Sequence, residues 1–323
     1  MRQTVLLTGA SGFIGFHTAA NLLDRGYNVV APVRKNAFQS CRVVQLISKG
    51  MQFVEGEFHD KQLLDTLFSY NIDSVIHLAS IRGQTKTDPR EYHRINVVGT
   101  QNLIAKSIEH KVKKFVYCSS VGVYGTIPAS LPAKTDSDYH GDNYYHLSKV
   151  EAEKRVLQAK EYGLNTTIIQ PTVTYGLYDD GFIPKLAHMV KHHHLVIPNR
   201  PVLIHLIWVE KLAELFRRAI EKNLPKEKYI VADKRAVNLL NLVNIFHRSA
   251  KKSVYPSWLM APEKFFRLGE KGLQTLRMSG MLVSLQLISR NWYYQIDDTI
   301  RDFNYKPVDT LEKIESLITN GDI

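Results

Sequence analysis

Thr8-Gly9-Ala10-Ser11-Gly12-Phe13-Ile14-Gly15 limits what this chain can fold into more than any other stretch. It follows the apolar run Val5-Leu6-Leu7 and opens a helical pattern from Phe13 to Arg25. Strand, glycine-rich turn and helix are the setting in which such glycines have a physical role. Gly9 allows the tight turn, Gly12 lets a pyrophosphate approach the backbone, and Gly15 lets the helix pack close to the strand. The helix start offers unpaired N–H groups and partial positive charge to phosphate. Gly9, Ser11, Gly12, Phe13, Ile14 and Gly15 are therefore candidate dinucleotide contacts.

The 323 residues suffice for one large or two modest domains with a full hydrophobic core. Two cysteines, Cys41 and Cys118, indicate a reducing compartment rather than a disulfide framework. Residues 1–8 are too short and strand-like for a signal peptide, and no apolar run reaches 18 residues. A soluble cytoplasmic protein is expected. The net charge of +11 comes with scattered clusters at Lys111-Lys113-Lys114, Arg217-Arg218 and Lys251-Lys252. Without finger spacing or aromatic-interleaved basic repeats, it reads as solvated faces or a preference for acidic ligands, not nucleic-acid binding.

Strand-like and helix-like segments then alternate, which predicts an α/β fold with a doubly wound parallel sheet. Residues 28–33 form the second strand, followed by Arg34 where NAD-specific versions of the fold carry an acidic residue. A guanidinium there matches the oxygens of a 2′-phosphate, so NADP(H) is expected, with NAD possible. After a third strand at 51–54, the turn with Glu57 and Phe58 is placed beside the adenine. A fourth strand, 73–78, ends in Leu78-Ala79-Ser80, small enough to approach a cofactor. A long helix should run from Asp88-Pro89 to His110 with Asn96 inside it, before a fifth strand at 114–119. The loop 121–143 is long enough to be functional. A helix from 142 to 162 and a strand from 164 to 170, closed by Pro171, complete this half.

Tyr145 and Lys149 stand four residues apart on that helix and share a face. A phenol near pKa 10 needs a neighbouring cation to work near neutrality. Lys149 would supply the cation and hold the nicotinamide ribose. Tyr145 would exchange a proton with a hydroxyl or carbonyl, and Ser120 at the strand end would hold that oxygen. Tyr144 is the rival, with poorer spacing.

Six segments in order, Thr8 to Gly15, His77-Leu78-Ala79, Asn96-Val97-x-Gly99-Thr100, Ser119-Ser120-x-x-Val123-Tyr124-Gly125, Tyr145-x-x-x-Lys149 and Pro171-x-x-x-Tyr175-Gly176, resemble an extended short-chain dehydrogenase/reductase of the NAD-dependent epimerase/dehydratase type. Trp208 to Ala213 and Phe303 to Pro307 match it more faintly. The resemblance implies a Rossmann sheet with a smaller C-terminal substrate-binding domain. It implies Ser120, Tyr145 and Lys149 as the catalytic set, Asn96 in support, cofactor contacts that include Pro171 and Val173, and a homodimer through helices 88–110 and 142–162.

Departures from the family narrow the chemistry. Val121-Gly122 replaces the acidic pair that dehydratases use to eliminate water. Ile204 stands where sugar-nucleotide epimerases often hold the diphosphate with arginine, with Arg200 nearby as a substitute. Arg290-Asn291-Trp292-Tyr293-Tyr294 looks closer to the 3β-hydroxysteroid dehydrogenase and dihydroflavonol reductase branches. The expected division is 1–176 with 204–235 as the dinucleotide domain, and 177–203 with 236–323 as the substrate domain. Lys191-His192-His193-His194 is not read as a metal site, because consecutive histidines diverge on a helix. The apolar segment 258–294 is read as core and pocket lining rather than a membrane contact, and His205 and Trp208 as packing residues. The expected function is a hydride-transferring oxidoreductase on a small hydroxyl or carbonyl substrate. A sugar-nucleotide epimerase with tightly held NAD is the alternative, and a non-catalytic dinucleotide sensor the second.

Overall fold

A computed structural model describes residues 2–82, 87–251 and 253–322, which leaves Lys252 of the Lys251-Lys252 cluster outside. Seven strands form one sheet: β1 (Thr4–Thr8), β2 (Asn28–Val33), β3 (Gln52–Glu55), β4 (Ser74–His77), β5 (Lys114–Cys118), β6 (Thr166–Pro171) and β7 (Lys228–Val231). Their order is β7-β6-β5-β4-β1-β2-β3, and every pairing is parallel. The doubly wound expectation holds. The winding reverses between β1, where Thr8 is in register with His77, and β4, so the crevice outside their carboxyl ends is the ligand position of such a sheet.

Both faces of the sheet are buried, which is why its strands read as unbroken apolar runs. Val5, Leu7, Val29, Ala31 and Val116 face one way, against Phe16, Ala19 and Leu22 of α1 (Phe13–Asp24) and against Leu212, Leu215 and Phe216. Leu6, Val30, Val75 and Phe115 face the other way, against Leu64, Leu67, Leu103, Ala152 and Val156. This alternation is the period-two geometry of a strand. A second core joins Ile183, Leu186 and Val190 with Ile204, Leu242, Phe246 and Trp292.

Two helices differ from expectation. The helix from Asp88 is Pro89–Tyr92, then a π-helical turn His93–Val98, then α2 (Gly99–Glu109). Asn96 sits inside that turn, and such bulges recur where a helix is bent to serve a site. The next, α3 (Tyr144–Gln158), starts later than expected because Asn143 caps it, its Oδ1 accepting the His146 amide at 2.9 Å. Among the described residues no helix is long and apolar enough to cross a membrane.

Candidate active site

The dinucleotide turn is built to the limit of backbone contact. Gly9 has φ +79°, and a Cβ there would stand 2.8 Å from the Ala79 nitrogen. A Cβ on Gly15 would meet the Gly9 oxygen at 2.0 Å. These two glycines press β1, the start of α1 and the end of β4 together. Gly12 is exposed, and the first turn of α1 has neither a side-chain cap nor an acidic residue. Ser11, Phe13 and Ile14 line this half-open start. An anion fits such a cradle, since orphan amides and the helix dipole favour it. Leu78, Ala79 and Ser80, all half-buried, form the opposite wall.

A chain of hydrogen bonds locks that wall. Thr8 Oγ1 accepts the amides of Leu78 and Ala79 at 3.2 and 3.1 Å and lies 2.6 Å from His77 Nδ1. Thr100 Oγ1 donates to the Asn96 carbonyl at 2.6 Å, so it accepts from His77 Nε2 at 2.9 Å. His77 is thereby assigned as the neutral Nε2–H tautomer. Burial, aided by the Lys149 charge, pushes its pKa down to about 3. Thr8, His77 and Thr100 were not expected as a unit, because only the sheet brings them together.

Tyr145 is half-buried and has the Lys149 ammonium 5.9 Å from its ring centroid. Ser120 Oγ accepts the Gly122 amide at 3.1 Å, which fixes its direction at the end of β5. Tyr144 is 60 % exposed, whereas Tyr145 is half-buried. One expectation is corrected. The Tyr145 phenol is pushed above its ordinary value, because burial outweighs the lowering by Ser120 and Arg82. Lys149 is itself buried, donates to the Cys118 carbonyl at 2.9 Å and is lowered by burial. Asn96 Nδ2 donates to Ile81 O at 3.1 Å and to Ser148 Oγ at 2.9 Å, while its Oδ1 accepts the Ile81 amide at 2.8 Å. It thus ties the segment after β4 to α3, beside Lys149.

The remaining candidates separate. Arg34 is exposed at the end of β2. Glu57 pairs with His59 at 3.2 Å, and Phe58 packs 5.0 Å from the His77 ring, so its side chain belongs to the support of the wall. Pro171 closes β6 and Val173 opens the short strand Val173–Tyr175. Ile204 lies in the second core, and Arg200 does not stand in for the missing arginine: its Nε pairs with Glu263 at 2.9 Å and its Nη2 donates to Ser289 O at 2.9 Å. His205 is buried with Nε2 2.9 Å from Asp233 O, and the Lys313 ammonium stacks 3.8 Å over Trp208. Among the described residues no three His, Cys, Asp or Glu side chains gather at a metal position.

Sequence reasoning missed one pair beside Gly122. His146 Nδ1 lies 2.5 Å from Asp142 Oδ1, which sits just before the Asn143 cap of α3. Hydrogen bonds from His146 and the Thr126 amide outweigh burial and hold the Asp142 carboxyl down to about 2.

The family described as "NAD dependent epimerase/dehydratase family" matches residues 5–232. A UDP-glucose 4-epimerase of Halalkalibacterium halodurans is 36% identical over 173 residues, 50% of this chain and 48% of that protein. The chain thus matches about half the length of that relative. Among solved structures, UDP-glucose 4-epimerase of Thermotoga maritima with UDP-glucose aligns at TM-score 0.75 and 21% identity, covering 97% of this chain and 96% of that one. WbmG of Bordetella bronchiseptica in complex with NAD and UDP aligns at 0.77 and 16%, covering 99% and 94%. The steroid and flavonoid branch suggested by residues 290–294 finds no support among these relatives. Those residues act as a stitch instead: Trp292 donates to the Leu203 carbonyl, Asn291 accepts the Leu203 amide, and Arg290 pairs with Glu270. With its glycine turn, its parallel sheet and a match that spans residues 5–232, the chain belongs to the NAD dependent epimerase/dehydratase family.

Proposed function

We propose that the chain is an NAD-dependent epimerase acting on a nucleotide-linked sugar, with NAD retained through the cycle. The observation that carries this reading is the Lys149 ammonium, fastened to the Cys118 carbonyl and 5.9 Å from the Tyr145 ring, with Ser120 just after β5, beside the dinucleotide crevice. Tyr145 Oη takes the proton of a sugar hydroxyl and returns it after the carbon is inverted, and Ser120 Oγ holds the same oxygen. The bound NAD supplies a reversible hydride acceptor and a positive ring. Lys149 adds a second charge that favours the phenolate. Relatives that are UDP-glucose 4-epimerases support the substrate class.

The residues outside the sheet, 177–203 and 236–323, are taken as the part that covers the substrate, with 204–235 returning to the dinucleotide-binding half. Pairing of two copies through Pro89–Glu109 and α3 is supported by the exposed Val98 and Leu147 on those helices.

A second reading, an NADP(H)-dependent reductase, rests on Arg34, exposed where an acidic residue favours NAD. One experiment separates the two. The purified protein is denatured, its released nucleotide identified, and the untreated protein incubated with UDP-glucose and no added cofactor. Released NAD and formation of UDP-galactose support the epimerase. An empty protein that oxidises NADPH with a ketone, and loses that preference on Arg34→Ala, overturns it. A Tyr145→Phe variant with full biological activity would leave only the sensor.

A further inference from the structure

The helices α4 (Glu263–Thr275) and α5 (Ser279–Ser289) form a hairpin whose outer surface breaks the usual pattern of a surface helix. Phe266 and Glu270 are the buried residues of α4. Phe265 and Leu268, three residues apart, lie about 100° or more around the helix from Phe266 and Glu270, and Leu276 follows the last turn. They are 61%, 67% and 68% exposed. A surface helix ordinarily turns polar residues to that side. Residues 278–289 hold no charge, yet Ser289 is the only buried residue of α5 and Met281 is 49% exposed. The expectation of core lining holds for Leu259, Phe266, Trp292 and Tyr294, which are buried, while Phe265, Leu268, Leu276 and Met281 stand outside the core.

The charge on the hairpin has one outward sign. Glu263 is engaged by Arg200 and Arg267, and Glu270 by Arg290. Lys264 and Lys271, next to Leu268 around the helix, are exposed, as is Arg277 in the turn between the two helices. The helices have 13 and 11 residues, about 20 Å at most, well short of the roughly 30 Å hydrocarbon layer. They can lie on a bilayer but not span it.

We infer that this hairpin docks the protein on an anionic membrane surface. Phe265, Leu268, Leu276 and Met281 enter the acyl boundary, and Lys264, Lys271 and Arg277 stay at the level of acidic headgroups. Apolar insertion next to cations is the composition of an interfacial helix. A second copy is the poorer occupant, because isologous pairing would set the same cations against each other in a chain of net charge +11.

The full chain is floated with phosphatidylcholine vesicles and with phosphatidylcholine–phosphatidylglycerol vesicles, at low and high salt. The expected result is flotation with the anionic vesicles only, weakened by salt. Phe265→Ser with Leu268→Ser should reduce it about tenfold, and Lys264→Glu with Lys271→Glu should abolish its dependence on phosphatidylglycerol. Both variants change exposed residues, and unaltered circular dichroism and cofactor content show that they are folded. Absence of flotation, equal flotation of the Phe265→Ser/Leu268→Ser variant, or a dimer that this variant dissociates would each overturn the inference. None of these readouts depends on the proposed epimerase activity.

Discussion

Lys149 Nζ is hydrogen-bonded at 2.9 Å to the carbonyl oxygen of Cys118, the last residue of β5. The ammonium is therefore fastened to the sheet, 4.9 Å from the Tyr117 ring and 5.9 Å from that of Tyr145. It is held as a fixed charge between strand and helix. Glu153, one turn further along α3, is fully buried and accepts Tyr139 Oη at 2.7 Å and Gln170 Nε2 at 2.9 Å. These bonds hold the helix against β6.

Tyr145→Phe is expected to lower turnover by about 10²–10⁴, as for loss of an acid–base group, while bound nucleotide is unchanged. Ser120→Ala has a second signature. The Ser120 side chain lowers the Tyr145 pKa, so its removal raises that value and moves the ascending limb of the pH–rate profile to higher pH. A limb that stays in place would remove Ser120 from the phenol.

Gly122 and His146 depend on each other. A Cβ at position 122 would stand 2.3 Å from His146 Nε2, so Gly122→Ala should cost about 1–3 kcal/mol in denaturant unfolding. His146→Ala alone removes the partner of Asp142, but in the double variant the added methyl has space. A double-mutant cycle should return a coupling of about 1–2 kcal/mol; additive losses would show that the contact is relieved elsewhere.

Asn96→Ala breaks three hydrogen bonds, two part-buried ones to Ile81 and a buried one to Ser148. The expected loss is about 2–3 kcal/mol, because the Ile81 amide and carbonyl are left without that partner. The urea midpoint measures it, and Asn96→Asp should recover part of the loss through the Ile81 amide alone.

Acid sensitivity should trace to His77. Burial sets its folded pKa at about 3, against roughly 6.5 in an unfolded chain. The unfolded state thus binds the extra proton between these values. Stability is complete above the unfolded value and declines as pH falls below it, by about 1.4 kcal/mol per pH unit. His77→Gln should flatten the fall between pH 6.5 and 5 by one proton's worth, read from midpoints at each pH. His205, lowered by burial to about 4, adds a second contribution of the same sign.

The sequence by itself determined the parts that rest on local chemistry. Gly9, Gly12 and Gly15 after a buried strand announce a backbone-lined anion turn, and alternation of strand and helix patterns dictates a parallel sheet buried on both faces. The four-residue spacing of Tyr145 and Lys149 places them on one side of a helix whatever surrounds it. The tertiary structure alone decided the rest. The Thr8–His77–Thr100–Asn96 chain joins residues far apart in sequence, and only strand register brings Thr8 beside His77. Burial reversed the expected direction for the Tyr145 phenol, because desolvation depends on packing that no local spacing encodes. Arg200 resembled a free cation near the expected diphosphate position, yet folding commits it to Glu263. Phe265 and Leu268 read as core by composition, but burial belongs to the neighbours a side chain meets, and the hairpin turns these two outward.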